Sequence, residues 1–431
     1  MTPGARLQET IDILDALFSD DHAADRFLTR WFRKRRYAGS KDRRDIRERV
    51  YFVLRHDRQL TWWMGGEGTA RSLVLSAAVL ADKMSVRILG EHCDGEKHRP
   101  AHLSVSERER LEGLEEKKLI TTEQPVAVRC NISDWLYETA FASLGEEVED
   151  EFAVLAEPAP VDLRVNSLKS DRAHATAELA KAGIAAENTR FSPLGLRLSA
   201  PQALDQLPVY RSGQVEIQDE GSQLVSLLCD AQPGMNVLDL CAGAGGKSLA
   251  LAAQMKNQGA ITLADIDETR LGRAAKRLER ADVTVGEFCP VGSDWEAWCA
   301  AHAGLFDRVL VDVPCTGSGA WRRHPEARRR LTENGFSAFL KLQQELLRVA
   351  LPLVKSGGRL IYATCSFFAD ENEKQIETLL AESDGVALLS AAKVWQAAVG
   401  GAFPGNDPYL RLSTYRHGTD GFFAAILERR G

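Results

Sequence analysis

The sequence predicts an α/β protein whose C-terminal half is a doubly wound parallel sheet, preceded by a small α+β module and an all-helical N-terminal domain. Residues 1–146 carry apolar residues at helical spacing, and residues 147–212 change to short alternating stretches. Residues 213–431 alternate apolar strands with helices, which is typical of a parallel sheet covered on both faces. The third strand is expected at Val283–Val285. Residues 420–427 are expected to form an antiparallel strand at the sheet edge.

The predicted helical domain concentrates positive charge in one segment. Residues 30–58 hold 12 Lys or Arg against 4 Asp or Glu, although the whole chain has a net charge of -7. One interpretation is a solvated helix face with internal ion pairs. The other is an RNA-facing surface, because aromatic residues stand among the basic ones. The candidate RNA contacts in this segment are Arg33, Arg35 and Arg36.

Composition argues against several classes of protein. The eight cysteines are widely spaced and form no Cys-x-x-Cys pair, so we expect neither a disulfide framework nor a zinc site. No apolar run approaches the roughly 20 residues that span a bilayer. We therefore expect a reduced, cytoplasmic protein that binds no metal and no membrane, and we also expect a monomer.

A glycine-rich turn follows the first strand of the predicted sheet, Asn236–Leu240. Its spacing fits neither the dinucleotide G-x-G-x-x-G motif nor the P-loop. Asp265 ends the second strand, where a carboxylate can accept hydrogen bonds from ribose hydroxyls, and Asp267 competes for that role or caps a helix. A glycine turn with a ribose acid and no phosphate motif favours S-adenosylmethionine. The candidate cofactor contacts are Cys241, Ala242, Gly243, Ala244, Gly245, Gly246, Lys247, Asp265 and Asp312.

Two cysteines follow the ends of two further strands. The stretch Asp312-Val-Pro-Cys315 ends one strand, and Thr364-Cys365 ends the next. The carboxyl ends of parallel strands share the ligand-binding edge, so we expect these side chains to meet. Carbon 5 of a pyrimidine becomes nucleophilic only after a thiolate adds to carbon 6. The adduct then needs an acid at nitrogen 3, a role that fits Asp312, and a base for the carbon 5 proton, a step that Cys315 could assist.

These residues resemble the signature of the RsmB/Nop/Sun family of RNA cytosine-5 methyltransferases. Upstream stretches at 164–169 and 213–222 are similar to the family's pre-catalytic module, and the N-terminus resembles its NusB-like RNA-binding domain. The resemblance implies a Rossmann-like class I S-adenosylmethionine methyltransferase domain in residues 213–431. The matching motifs are Asp239-Leu-Cys-Ala242, Gly245-Gly-Lys247, Asp312-Val-Pro-Cys315, Arg322-Arg-His-Pro325 and Ala363-Thr-Cys-Ser366.

The resemblance also implies residue roles and a substrate. Cys365 would be the nucleophile, and Cys315 would assist product release. Ribosomal RNA of the 16S type is the leading substrate, transfer RNA is the second because the catalytic motifs are shared, and a non-catalytic assembly factor is a third reading. The sequence departs from the family at Ala244, where proline is usual, and at Phe288-Cys289-Pro290, where an acid is expected. Candidate RNA contacts in the Arg322 motif are Arg322, Arg323 and His324.

Overall fold

The computed structural model describes residues 1–20, 22–35, 37–200 and 202–430. The chain divides into two compact units. The first, the helical unit, combines residues 1–158 with residues 321–331, and the second, the catalytic unit, combines residues 159–320 with those from 332 onward. The expected boundary at residue 146 therefore falls inside the helical unit.

The helical unit packs its helices around a core of leucine, isoleucine and valine side chains. Thr2 caps the first helix, because its Oγ1 accepts a hydrogen bond from the Ala5 N–H at 3.2 Å. The helices are α1 (Pro3–Phe18), α2 (Ala24–Arg33), α3 (Ser40–Trp63), α4 (Ala70–Leu80), α5 (Val86–His92), α6 (Val105–Glu112), α7 (Val126–Arg129), α8 (Asp134–Leu144) and α9 (Val148–Leu155).

Residues 321–331 belong to the helical unit, although they lie between catalytic strands in the sequence. The buried Arg328 guanidinium donates to the backbone carbonyls of Leu54 at 3.2 Å and Arg55 at 3.1 Å. The Glu326 carboxylate accepts the Ala24 N–H at 2.9 Å, at the start of α2. Helix capping and carbonyl pairing thus make this segment a structural part of the helical unit.

The α+β module forms an antiparallel sheet in the order β2-β3-β1-β4. Because β4 follows residue 212, the sheet extends past the expected end of the module. Its core consists of apolar side chains from the strands and the longer helix. The elements are β1 (Val161–Val165), α10 (Arg172–Lys181), β2 (Ala186–Asn188), β3 (Gly195–Leu198), α11 (Pro208–Arg211) and β4 (Val215–Ile217).

An eight-stranded sheet forms the core of the catalytic unit, with the order β10-β12-β9-β8-β5-β6-β7 and β11 paired to β12. The five strands β5 to β9 run parallel, as the alternation of strands and helices predicts. The strands are β5 (Asn236–Leu240), β6 (Ala260–Asp265), β7 (Gly286–Pro290), β8 (Phe306–Asp312), β9 (Val354–Thr364), β10 (Val386–Leu388), β11 (Leu410–Leu412) and β12 (Phe422–Arg429).

In the chain, α12 precedes β5 and the other remaining helices lie between these strands; α16 is part of the helical unit. Apolar clusters lie on both faces of the sheet, which confirms the doubly wound arrangement. The helices are α12 (Glu220–Leu228), α13 (Gly246–Gln254), α14 (Glu268–Arg280), α15 (Trp295–Ala301), α16 (Pro325–Arg330), α17 (Glu333–Ala350), α18 (Glu373–Glu382), α19 (Ala391–Ala398) and α20 (Thr414–His417).

Two strand predictions need correction. Strand β7 begins at Gly286, after the predicted Val283–Val285. From the predicted stretch, the Val285 carbonyl accepts the Ile261 N–H at 2.8 Å. The last strand, β12, is antiparallel as predicted but lies inside the sheet, because β10 and β11 both pair with it. Among the described residues, the helices are too short or too polar to cross a bilayer.

Candidate active site

The glycine turn between β5 and α13 has left-handed backbone at three positions. Cys241 has φ 66°, Gly243 has φ 57° and Gly245 has φ 73°. A Cβ on Gly245 would lie 3.0 Å from the Ala274 Cβ, so this turn requires glycine both for its conformation and for close packing against α14. Burial, with the Asp312 and Asp265 carboxylates nearby, raises the pKa of Cys241 to about 12, so its thiol stays protonated.

Asp265 and Asp267 have separate roles at the end of β6. Asp265 is 4% exposed, and its Oδ2 accepts the Gly243 N–H at 2.7 Å while its Oδ1 accepts the Asp267 N–H at 2.8 Å. Asp267 instead caps α14 by accepting the Arg270 N–H at 3.0 Å. The geometry therefore joins Asp265, and not its competitor, to the glycine turn.

Lys247 and Asp312 form an ion pair at the carboxyl edge of the sheet. The Lys247 Nζ donates to the Asp312 Oδ2 at 2.6 Å and lies 5.4 Å from the centre of the Phe422 ring. Lys247 is only 8% exposed. Burial opposes its charge, but the Asp312 carboxylate, together with Asp239 and Cys365, raises the pKa of Lys247 above its ordinary 10.5. The ammonium group that the sequence assigned to the cofactor turn thus contacts the acid beside the cysteines.

The two strand-end cysteines lie next to each other. Their Sγ atoms are 3.5 Å apart, and both residues are partly exposed. The hydrogen bond with Cys365, together with burial, raises the pKa of Cys315 well above its ordinary 9.0. The Cys315 thiol therefore stays protonated at neutral pH. Sheet topology brings the two motifs together as the sequence predicts.

Comparison with known proteins gives the family. Residues 226–428 match the family model "16S rRNA methyltransferase RsmB/F", and residues 132–205 match its ferredoxin-like domain. The probable ribosomal RNA small subunit methyltransferase B of Synechocystis sp. is 33% identical over 318 residues, which cover 73% of this chain and 70% of that protein. The chain belongs to the RsmB/F family of 16S rRNA methyltransferases.

Two further relatives support this membership in the RsmB/F family. Ribosomal RNA small subunit methyltransferase B of Pectobacterium atrosepticum is 34% identical over 63% of this chain, and the match spans only 60% of that protein's length. The crystal structure of PH0851 aligns over 100% of this chain and 99% of its own, with a TM-score of 0.79 and 25% identity. This RsmB/F protein is accordingly an S-adenosylmethionine-dependent rRNA methyltransferase with the α/β fold predicted above.

The glycine turn of this RsmB/F protein is suited to S-adenosylmethionine. Backbone groups and one buried carboxylate line it, a donor set that suits a nucleoside without phosphates. Two arginines hold its backbone carbonyls in place. Arg277 donates to the Ala244 carbonyl at 2.8 Å, and the buried Arg164 donates to the Gly246 carbonyl at 3.1 Å. Among the described residues, no cluster of three or more His, Cys, Asp or Glu side chains could hold a metal ion.

A buried polar network that sequence reasoning missed joins the two cysteine loops. Glu371 is 0% exposed and accepts the Thr316 N–H at 2.8 Å, the Thr316 hydroxyl at 2.5 Å and the Gln343 amide at 3.0 Å. The Ser318 and Ser366 hydroxyls lie 3.0 Å apart in the same network. Glu371 therefore anchors the residue after Cys315 and the loop after Cys365. In the sequence, Asp370 to Glu373 is an acidic run just before and at the start of α18, a pattern typical of a helix start.

The predicted RNA contacts are in different environments. Arg33 and His324 are exposed, whereas Arg322 is 4% exposed, so its side chain is largely withdrawn from the surface. The Arg35 guanidinium lies 3.5 Å from the Trp31 ring centre, and its Nε is 3.0 Å from the Glu9 carboxylate. Of the other two predicted contacts, Arg323 is partly exposed and Arg36 lies outside the described residues.

Proposed function

We propose that this chain methylates carbon 5 of a cytosine in ribosomal RNA through a covalent adduct on Cys365. The observation that carries the proposal is the 3.5 Å contact between the Cys315 and Cys365 Sγ atoms. A second thiol beside the first would be redundant for binding, but it supplies a proton-transferring group at the carbon that the first thiol attacks. Asp312, paired with Lys247, lies at the end of the neighbouring strand.

Attack begins with the thiolate of Cys365. Its sulfur forms a bond to carbon 6 of the cytosine, nitrogen 3 takes up a proton from solvent, and the Asp312 carboxylate accepts a hydrogen bond from the resulting N–H, which leaves carbon 5 with enamine character. Lys247 holds Asp312 in place and remains charged, since its own pKa is raised. The protonated Cys315 donates its S–H to Cys365 in the resting enzyme and so favours the thiolate.

Release requires a base at carbon 5. S-adenosylmethionine, when bound, supplies an electrophilic methyl group to that carbon. Cys315 passes its thiol proton to solvent and, as the thiolate, accepts the carbon 5 proton; the electron pair of that C–H bond re-forms the 5,6 double bond, the carbon 6–sulfur bond breaks, and nitrogen 3 returns its proton to solvent. A thiolate with a raised pKa is a strong base, which suits this step. The Cys365 thiolate is regenerated.

Ribosomal RNA is the favoured substrate because the family description and the curated relatives name it. Transfer RNA stays the second candidate, since the cysteine chemistry does not depend on which RNA presents the cytosine. Membership in a methyltransferase family argues against a non-catalytic assembly factor, and the cysteines, the acid and the glycine turn are all present.

A denaturing gel of two variants with unmodified 16S rRNA transcript and S-adenosylmethionine tests the chemistry. Cys365→Ala should bind RNA but give neither methylation nor a covalent complex, because carbon 5 is never activated. Cys315→Ala should accumulate a denaturant-resistant protein–RNA adduct, because attack proceeds and elimination is slowed. The reverse pattern would assign the nucleophile to Cys315. Parallel reactions with transfer RNA, followed by bisulfite sequencing, decide between the substrates.

A further inference from the structure

A pair of adjacent carboxylates, Asp219 and Glu220, holds two surface loops of the catalytic unit. Glu220 is buried, and its Oε1 accepts the N–H groups of Phe191 at 2.5 Å and Ser192 at 2.7 Å. Asp219 accepts the Asp420 N–H at 3.1 Å. Both acids belong to the stretch at 213–222. Their shared effect is to fix the loop before β3 and the loop before β12.

These two loops place aromatic and basic side chains side by side. The Arg190 guanidinium lies 4.8 Å from the Phe191 ring centre, and the Phe191 ring lies 5.8 Å from the His417 ring. Helix α20 adds Arg416, which is exposed, and Tyr415, which is 47% exposed. Together these five residues are called the aromatic–basic platform. Rings flanked by guanidinium groups are the surface on which single-stranded bases stack while phosphates are neutralised.

His417 acts in this platform as a fixed, uncharged ring. Its Nδ1 accepts the Ser413 N–H at 2.9 Å, which holds the imidazole in place. Burial, with Arg190 and Arg416 nearby, lowers the pKa of His417 below its ordinary 6.5. The ring is therefore neutral at physiological pH and available for stacking, while the positive charge of the platform comes from the two arginines.

The platform is connected to the nucleophile through backbone hydrogen bonds. His417 stands four positions before Gly421. The Gly421 N–H donates to the Gly319 carbonyl at 2.9 Å, and the Gly319 N–H donates to the Cys365 carbonyl at 3.0 Å. The approach is so close that a Cβ on Gly319 would lie 2.2 Å from the Gly421 oxygen. One continuous stretch of backbone contacts thus runs from the platform to Cys365.

We infer that the aromatic–basic platform binds the single-stranded RNA next to the target cytosine. The inference rests on the proposed RNA methyltransferase function and extends it to a surface separate from the basic segment of the helical unit. Aromatic rings would stack on flanking bases, and Arg190 with Arg416 would contact phosphates. A single strand is the required form, because a cytosine in a duplex cannot present carbon 6 to a thiolate until it is unstacked.

Phe191 substitutions test the stacking. Phe191→Leu keeps an apolar side chain against the core but removes the ring, and it should raise KM for 16S rRNA transcript and Kd for an oligocytidine strand about tenfold. The value of kcat and the affinity for S-adenosylmethionine should not change, because the cofactor turn is untouched. Phe191→Trp should restore binding. Loss in both variants, or in neither, would overturn the stacking role.

Charge reversal tests the phosphate contacts. Arg190→Glu with Arg416→Glu should weaken binding of the oligocytidine and flatten its salt slope by about 1.4, at about 0.7 per contact for a single strand. The matched control is Lys181→Glu with Lys393→Glu, two exposed lysines of the same unit, which should leave the slope unchanged. An equal loss in the control would reduce the effect to overall charge and refute the platform.

Failure of the methyltransferase activity and failure of the platform give different results. If the unaltered protein does not methylate 16S rRNA transcript, the proposed function fails. If it methylates the transcript and the platform variants match it in KM and salt slope, only the platform is wrong. Thermal melts of each variant, compared with the unaltered protein, show whether a loss of binding reflects unfolding.

Discussion

The cysteine edge of the catalytic unit and the basic segment of the helical unit both stand out in the sequence, but they differ in how far the predicted side chains are found where the sequence places them. At the cysteine edge, Cys315 and Cys365 converge as the strand order requires. In the basic segment, Arg35 is engaged with Trp31 and Glu9, while Arg33 is exposed. Where a strand ends in a parallel sheet, the strand order determines which side chains meet. The composition of a helix, in contrast, does not determine which of its charged side chains are exposed and which pack against neighbours.

The largest effect is expected from breaking the Lys247–Asp312 pair. Lys247→Met keeps the length of the side chain but removes the charge that holds Asp312, so kcat should fall about 100-fold, at the lower end of general acid–base contributions. Single-turnover methylation of 16S rRNA transcript measures this. Lys256→Met, at an exposed position of the same unit, is the control. An unchanged kcat would mean that Asp312 needs no partner.

Glu371 should give the next largest effect. Glu371→Gln turns one oxygen into a donor that faces donors from Thr316 and Gln343, so unfolding should become easier by about 1–3 kcal/mol. Because the loop after Cys315 loosens, release should slow and adduct should persist on a denaturing gel. Glu377→Gln, exposed on α18, is the control. Lost stability without adduct would limit Glu371 to a structural role.

Much of the catalytic unit follows from sequence pattern, because parallel strands impose one common edge. The pairing of Cys315 with Cys365 and the link from Asp265 to the glycine turn are both consequences of strand order. Glu371 could not be predicted in the same way, since its partners are distant in sequence and a carboxylate near a helix start is usually a cap. Its burial is visible only in the folded chain.

Residues 321–331 show a second limit of sequence reasoning. The motif follows the Cys315 loop directly, so Arg322, Arg323 and His324 are predicted to contact RNA. Arg322 is buried, however, and Arg328, later in the same segment, donates to helix carbonyls. The difference arises because a charged residue gives no periodic signal of which unit it joins. The position of Phe288-Cys289-Pro290 also differs from the prediction. These residues are predicted to follow the third strand, but they lie within β7, because that strand begins and ends later than predicted.

The carboxyl group of Asp239, at the base of the cofactor turn, makes stability depend on pH. Burial raises its pKa from 3.8 to about 7, and its Oδ1 has no hydrogen-bond partner among the described residues. The folded state therefore binds this proton more tightly than the unfolded state. Its contribution to stability is fully present below pH 3.8 and is lost as the pH rises to about 7.

Asp239→Asn should remove this dependence, because an amide stays neutral and its oxygen can still accept the Ser248 hydroxyl. Urea unfolding without cofactor measures this. Between pH 4 and 7, the free energy of unfolding of the variant should rise relative to that of the unaltered protein by at most about 1.4 kcal/mol per pH unit, and above pH 7 the difference should stay constant. Parallel curves for the two proteins across that range would show that the carboxyl group ionises normally.

The smallest expected effect compares two arginines of the basic segment. Arg33 is exposed at the end of α2, whereas Arg35 already lies against Trp31 and beside Glu9. Arg33→Glu should flatten the salt slope of 16S rRNA binding by about 0.7 to 0.9, the value for one phosphate contact. Arg35→Glu should change the slope less but lower the melting temperature, because it places a second carboxylate beside Glu9. Filter binding at several salt concentrations, with thermal melts of the same samples, separates the two. Equal slopes for both variants would show that RNA draws Arg35 away from Glu9, whereas no change in either would make the segment a solvated helix face.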